Sequence, residues 1–143
     1  MANDASVIFE ERAAGDTHKV GIATLNAEKS LNSLTLEMID LLQEKFTAWE
    51  NDASVACVFL QGAGDKAFCA GGDVVAMHRT SAAYGEQLGD TATQDFFSRE
   101  YRLDHHIHTY SKPIIVWGNG IVMGGGLGLM SGASHRVLTE STR

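Results

Sequence analysis

Two glycine-rich runs have the composition of a backbone site for a negatively charged group. The first is Ala67-Phe68-Cys69-Ala70-Gly71-Gly72-Asp73, followed by the apolar stretch Val74 to Met77. The second is Gly118-Asn119-Gly120-Ile121-Val122-Met123-Gly124-Gly125-Gly126-Leu127-Gly128. Paired glycines let an amide face a pocket with no side chain in the way, and Asp73 is suited to cap whatever helix follows it. The second run comes directly after an apolar stretch and opens a helix. Its first amides therefore lack intrahelical partners and lie at the positive end of a helix dipole. Two such amides aimed at one point form an oxyanion hole. Close helix packing is the other reason to place glycines there, and glycine content does not separate the two.

Other chemistries fit less well. A dinucleotide fingerprint begun at Gly118 and Gly120 meets Met123 where it needs glycine. No glycine loop is followed by lysine and then serine or threonine, so a phosphate loop is excluded. His105, His106 and His108 lack a carboxylate or cysteine at a metal-binding spacing and read as a solvated helix face, so no metal is expected. Cys69 between Phe68 and Ala70 reads as packing and not as a nucleophile. Glu100, on a polar helix, has no distinguishing feature of its own.

The elements that must hold these runs can be read from periodicity. Val7 to Glu11 and Lys19 to Leu25 are short β-rich segments joined by turn residues, a hairpin. A polar loop, Asn26 to Ser33, precedes a helix capped by Thr35, whose apolar residues Leu36, Ile39, Leu42, Phe46 and Trp49 recur at three- and four-residue steps to about Asn51. Val55 to Leu60 reads as a strand buried on both faces. Arg79 to Thr93 is small, polar and aperiodic, and is expected to be a mobile or poorly determined connection whose conformation the residues do not predict. Asp95 to Tyr110 fits a helix, and Pro113 separates it from a strand at Ile114 to Trp117. A helix begins in the glycines after Met123, and Arg136 to Thr139 reads as a last short strand. The two strand, glycine loop and helix units around Gly71 and Gly125 are the nearest approach to an internal repeat.

With 143 residues, 44% hydrophobic and 20% charged, the chain can bury one core, and a single domain over residues 1–143 is expected. No run approaches the roughly eighteen apolar residues of a membrane span, and Met1 to Ser6 has neither the basic nor the apolar region of a secretory signal. Two cysteines without metal spacing suggest thiols in a reducing compartment, and a soluble, cytoplasmic protein is expected. A net charge of −7 argues against nucleic acid but leaves room for an anionic ligand held by local amides.

Taken together, the two glycine runs, their order, and the loop from Leu25 to Leu34 resemble the crotonase (enoyl-CoA hydratase/isomerase) superfamily, from about Val7 to the end of the chain. The resemblance implies an α/β fold of stacked β-β-α units, here truncated before its C-terminal part. It also implies an acyl-CoA substrate whose thioester carbonyl is polarised by two backbone amides, which fall on Gly72 and Gly125. Ala70, Gly71, Asp73 and Gly124 would lie along the substrate. Coenzyme A is then part of the substrate, and no separate cofactor is implied. Enoyl-CoA hydratases carry a catalytic glutamate three residues after the second oxyanion glycine. That position is Gly128, so no carboxylate is expected there and hydration is disfavoured.

The runs Gly120 to Leu129, Phe97 to Tyr101 and His135 to Glu140 are instead similar to the 3-hydroxyisobutyryl-CoA hydrolases of valine breakdown. In those enzymes a glutamate before a tyrosine contacts substrate, and Glu100 before Tyr101 matches it. Their Met-Pro-Glu motif and a later aspartate do not occur here, and an incomplete protein, inactive alone, is expected. An enoyl-CoA hydratase or isomerase and a non-catalytic acyl-CoA-binding fragment are the alternatives. The partners expected are an acyl-CoA and either a second copy of the chain or its own remaining C-terminal part, with no nucleic acid and no membrane.

Overall fold

The computed structural model describes residues 4–84 and 86–143, with the backbone alone at 80, 81, 84 and 86–90. β1 (Val7–Ala14) and β2 (His18–Leu25) pair antiparallel, Val7 opposite Leu25 and Ala14 opposite His18. The turn falls at residues 15–17, with Gly15 at φ 75°. β1 runs further than its apolar pattern because residues 10–14 are exposed and held by ladder hydrogen bonds, which hydrophobic periodicity does not report.

α1 (Leu36–Asn51) begins as expected, with Thr35 Oγ1 accepting from the Met38 amide at 3.2 Å. Its buried face carries Met38, Ile39, Leu42, Phe46 and Trp49. This face packs on β1, β2 and β3 (Val55–Gly62), the last joined parallel to β2. Lys112 Nζ donates to the Trp49 and Asp52 carbonyls, each at 2.6 Å, and so engages carbonyls at the C-terminal end of α1.

β4 (Ala67–Cys69) leads into α2 (Val74–Tyr84) and α3 (Glu86–His108). β5 (Ile114–Gly118), β6 (Ile121–Val122), α4 (Gly125–Ser131) and β7 (His135–Leu138) follow. The main sheet has the order β1-β2-β3-β5-β7, parallel except for the first pair, while β4 and β6 form a separate parallel pair. Strand, strand and helix recur along the chain, as the resemblance implied, and no described helix is long and apolar enough to cross a membrane.

The expectation of an irregular connection over Arg79 to Thr93 does not hold. Its described residues are helical, α2 running to Tyr84 and α3 starting at Glu86, with Gly85 outside the described residues. Asp73 starts α2, its Oδ1 accepting from the Ala76 amide at 2.9 Å, and α2 packs along α3. Ala82, Ala83, Gln87 and Leu88 are strong helix formers. A helix can therefore form here without the apolar stripe that would have revealed it.

Candidate active site

The parallel pairing of β4 with β6 lays the two glycine runs side by side. The Met123 amide donates to the Cys69 carbonyl at 3.1 Å. A Cβ built on Gly124 would lie 3.4 Å from Gly71 Cα, and one built on Gly71 would lie 3.8 Å from the Gly125 nitrogen. Gly71 at φ 114° and Gly124 at φ 54° take backbone conformations that side chains rarely adopt, so the approach depends on glycine. On its other side the first run is tied to the loop after β2. Ala70 N donates to Leu31 O at 3.0 Å, Leu34 N to Gly71 O at 2.7 Å, and Asp73 N to Leu34 O at 2.8 Å. Between these ties the Gly72 amide finds no acceptor among the described residues, and neither does the amide of Gly125, the first residue of α4. Two unengaged N–H groups on neighbouring loops can hold a developing oxyanion. Because α4 has only 7 residues, the free amide matters more here than the helix dipole.

Asn32 positions this arrangement and was not singled out in the sequence. It is buried at 1% exposure with φ 55°, inside a loop expected to be merely polar. Its Oδ1 accepts from the Ala27 amide at 2.9 Å, and its Nδ2 donates to Ala63 O at 3.0 Å and Ala67 O at 2.9 Å. One side chain thus joins the loop to both ends of the β3–β4 connection. Asn in a loop suggests a turn, and nothing local in the sequence marks it as buried.

Gly72, Gly124, Gly125 and Glu100 line one cavity of about 330 Å³. Apolar surface from Val74, Met77 and Phe97 completes much of it, with Phe97 stacked on Tyr101 at 5.9 Å. Gly71 shapes the loop, and Ala70 and Asp73 serve the structure through their hydrogen bonds; none of these three faces the cavity. Glu100 is not on a solvated face. It is 4% exposed, and burial pushes its carboxyl above the usual carboxylate range.

The structure adds a residue that sequence reasoning missed. Asp104, one helical turn after Glu100, lines the same cavity, and burial together with the negative charge of Glu100 pushes its carboxyl up to about 7. A Cβ built on Gly128 would lie 2.7 Å from Asp104 Oδ2. The expectation that no carboxylate stands near Gly128 is therefore corrected, since α3 supplies one across the helix contact. The i, i+4 spacing of Glu100 and Asp104 was the available signal.

The Cys69 thiol is fully buried and pushed up to about 11, chiefly by burial, which leaves it a poor nucleophile, in line with the packing role. Of the three histidines, His105 and His108 are exposed. His106 departs from the solvated reading, with Nδ1 at 2.8 Å from Gln43 Nε2 and Nε2 at 3.4 Å from Glu50 Oε1. No group of three metal-ligating side chains occurs among the described residues.

The chain is similar to known proteins in sequence and in fold. The chain is 46% identical over 122 residues to a 3-hydroxyisobutyryl-CoA hydrolase, mitochondrial, of Gallus gallus, covering 85% of this chain and 30% of the relative. It is 43% identical to 3-hydroxyisobutyryl-CoA hydrolase 1 of Arabidopsis thaliana, over 99% of this chain and 35% of the relative. It thus spans about a third of the length of these relatives. Among solved structures, a carnitinyl-CoA dehydratase from Mycobacterium thermoresistibile superposes with a TM-score of 0.86 at 41% identity, over 98% of this chain and 38% of the other. An enoyl-CoA hydratase from Rhodobacter sphaeroides superposes with a TM-score of 0.85 at 32% identity, over 96% and 38%. The mitochondrial names of the hydrolases overturn the cytoplasmic expectation. Cysteine usage separates oxidising from reducing compartments but does not separate cytosol from mitochondrial matrix. Residues 20–143 match the family described as enoyl-CoA hydratase/isomerase. On that match, on the paired glycine loops and on the strand-strand-helix repeat, the chain belongs to the enoyl-CoA hydratase/isomerase family.

Proposed function

We propose that this chain forms the carbonyl-polarising part of an acyl-CoA thioester hydrolase that converts 3-hydroxyisobutyryl-CoA to 3-hydroxyisobutyrate and coenzyme A, a step of valine breakdown. The observation that carries the reading is the side-by-side placement of two glycine loops whose Gly72 and Gly125 amides are unengaged, at the edge of the cavity holding Glu100. Water adds to the thioester carbonyl, and the two amides hold the oxygen that becomes negative. Collapse breaks the C–S bond, and the thiolate of coenzyme A takes a proton as it leaves. Val74, Met77 and Phe97 pack the short acyl chain, and Glu100 accepts a hydrogen bond from its hydroxyl. The group that activates water is assigned to a Met-Pro-Glu motif that these 143 residues do not contain, so residues 1–143 alone have no appreciable turnover.

Hydration of an enoyl-CoA is a second reading, favoured by the Asp104 carboxylate beside Gly128. Release of free thiol from 3-hydroxyisobutyryl-CoA, measured on the full-length protein beside loss of crotonyl-CoA absorbance, separates the two. Hydrolysis faster than hydration is expected, and the reverse order would overturn the hydrolase reading.

A further inference from the structure

Asp104 and Glu100 project from consecutive turns of α3 into one cavity wall. Asp104 Oδ2 occupies the space that opens at Gly128, where any larger residue would begin its side chain. Asp104 Oδ1 is buried and has no hydrogen-bond partner among the described residues. Glu100, more than nine-tenths buried, makes no hydrogen bond among the described residues either. Folded proteins seldom leave buried carboxyl oxygens unpaired, because the lost hydration is not replaced. A wall with one such oxygen on Asp104 and the unbonded carboxyl of Glu100 beside it, amid apolar surface, is completed by a ligand that is short, largely hydrocarbon, and carries a matching polar atom.

The chemistry of the pair narrows that atom. Burial and the negative charge of Glu100 raise the Asp104 carboxyl to about 7, and burial raises that of Glu100, so the two resist ionising together and a singly protonated pair is favoured over a doubly charged one. One member then donates a hydrogen bond and the other accepts one. A hydroxyl presents the complement of both. A ketone can only accept, a carboxylate is repelled, and a plain alkyl group leaves both members unsatisfied.

We propose that Asp104 is a specificity-determining residue which, with Glu100, selects acyl groups bearing a hydroxyl, one carboxyl donating to the hydroxyl oxygen and the other accepting its proton. The inference rests on the acyl-CoA reading of the site and deepens it. Glu100 alone supplies half of the recognition, and Asp104 supplies the other half from across the Gly128 contact.

The test is binding to the full-length protein of hydrolysis-resistant analogues in which a methylene replaces the thioester sulfur. 3-Hydroxyisobutyryl and isobutyryl versions are compared by calorimetry. Wild type is expected to prefer the hydroxylated analogue by about tenfold or more, one good hydrogen-bonded group in a site built for it. Asp104→Leu, which leaves Glu100 alone, should cut the preference to about threefold. Gly128→Ala should do the same by a different route, its new methyl displacing the end of a flexible side chain while the helix backbone is kept. Asp104→Asn retains a donor and should keep most of the preference, which a merely structural role would not predict. A preference unchanged in folded Asp104→Leu or Gly128→Ala would overturn the inference. Equal wild-type binding of both analogues would overturn it while leaving the acyl-CoA reading standing. Binding of neither would overturn both.

Discussion

A methyl group on residue 125 and the carboxylate of Glu100 would occupy the same space. Gly125 has ordinary backbone angles, so its lack of a side chain serves Glu100 and the cavity, not the backbone. Gly125→Ala retains the amide but must push a buried carboxylate aside. A loss of about 1–3 kcal/mol in stability is expected, typical of overpacking, together with a clear loss of thioester hydrolysis. Glu100→Ala should relieve it, so the double variant should be more stable than the sum of the single changes by on the order of 1 kcal/mol. Denaturant titration of the four proteins measures this, and additive costs would mean that the two residues do not compete for space.

The Gly125 amide is tested separately by exchanging its peptide bond for an ester in a semisynthetic full-length protein. The ester keeps the shape of the loop and deletes the N–H. Turnover should fall about a hundredfold, roughly 2.7 kcal/mol, with a much smaller change in substrate affinity. A folded ester variant turning over near the parental rate would leave Gly125 as a packing residue.

The carboxyl of Asp104 also ties stability to pH. Unfolded, it titrates near 3.8, and in the fold it is raised to about 7. Between those values the folded chain keeps a proton that the unfolded chain has released. Its contribution is therefore complete below about pH 4 and is lost as pH rises toward 7. The raised Glu100 acts in the same direction. Asp52 acts oppositely, since hydrogen bonds from Ser54 hold its carboxyl down to about 2. Comparing Asp104→Asn with wild type cancels that background. The variant should gain on wild type from pH 4 to 7.5, by on the order of 1 kcal/mol or more, as read from melting curves across that range. A difference independent of pH would place Asp104 in contact with solvent.

Asn32→Ala should cost about 2–4 kcal/mol, because it deletes three hydrogen bonds and strands the Ala63 and Ala67 carbonyls and the Ala27 amide. It also replaces a residue that tolerates left-handed angles with one that does so poorly. Asn32→Asp should be destabilising as well, since the carboxylate cannot donate to the two carbonyls. Melting temperatures settle the point, and a variant as stable as wild type would mean that the loop holds its shape without this side chain.

The hairpin, α1 and the strands read at Val55 to Leu60 and Ile114 to Trp117 were legible in the residues alone, because their apolar pattern reports directly what is buried, and the structure extends those two strands to Gly62 and Gly118. The sequence also marked the two glycine runs, since an amide bare of side chain is a local property. It misjudged Arg79 to Thr93, where helix is supported by the Asp73 cap and by α2–α3 packing in place of an apolar stripe. Which residues lie side by side is set by the packing of elements distant in the chain. The β4–β6 pairing joins two runs distant in the chain, Asn32 becomes a buried clamp, and Asp104 reaches the space at Gly128 from another helix. The physical reason is that a side chain's spacing fixes its face on its own element. Its burial, its protonation and the atoms it meets depend on the element packed against that face.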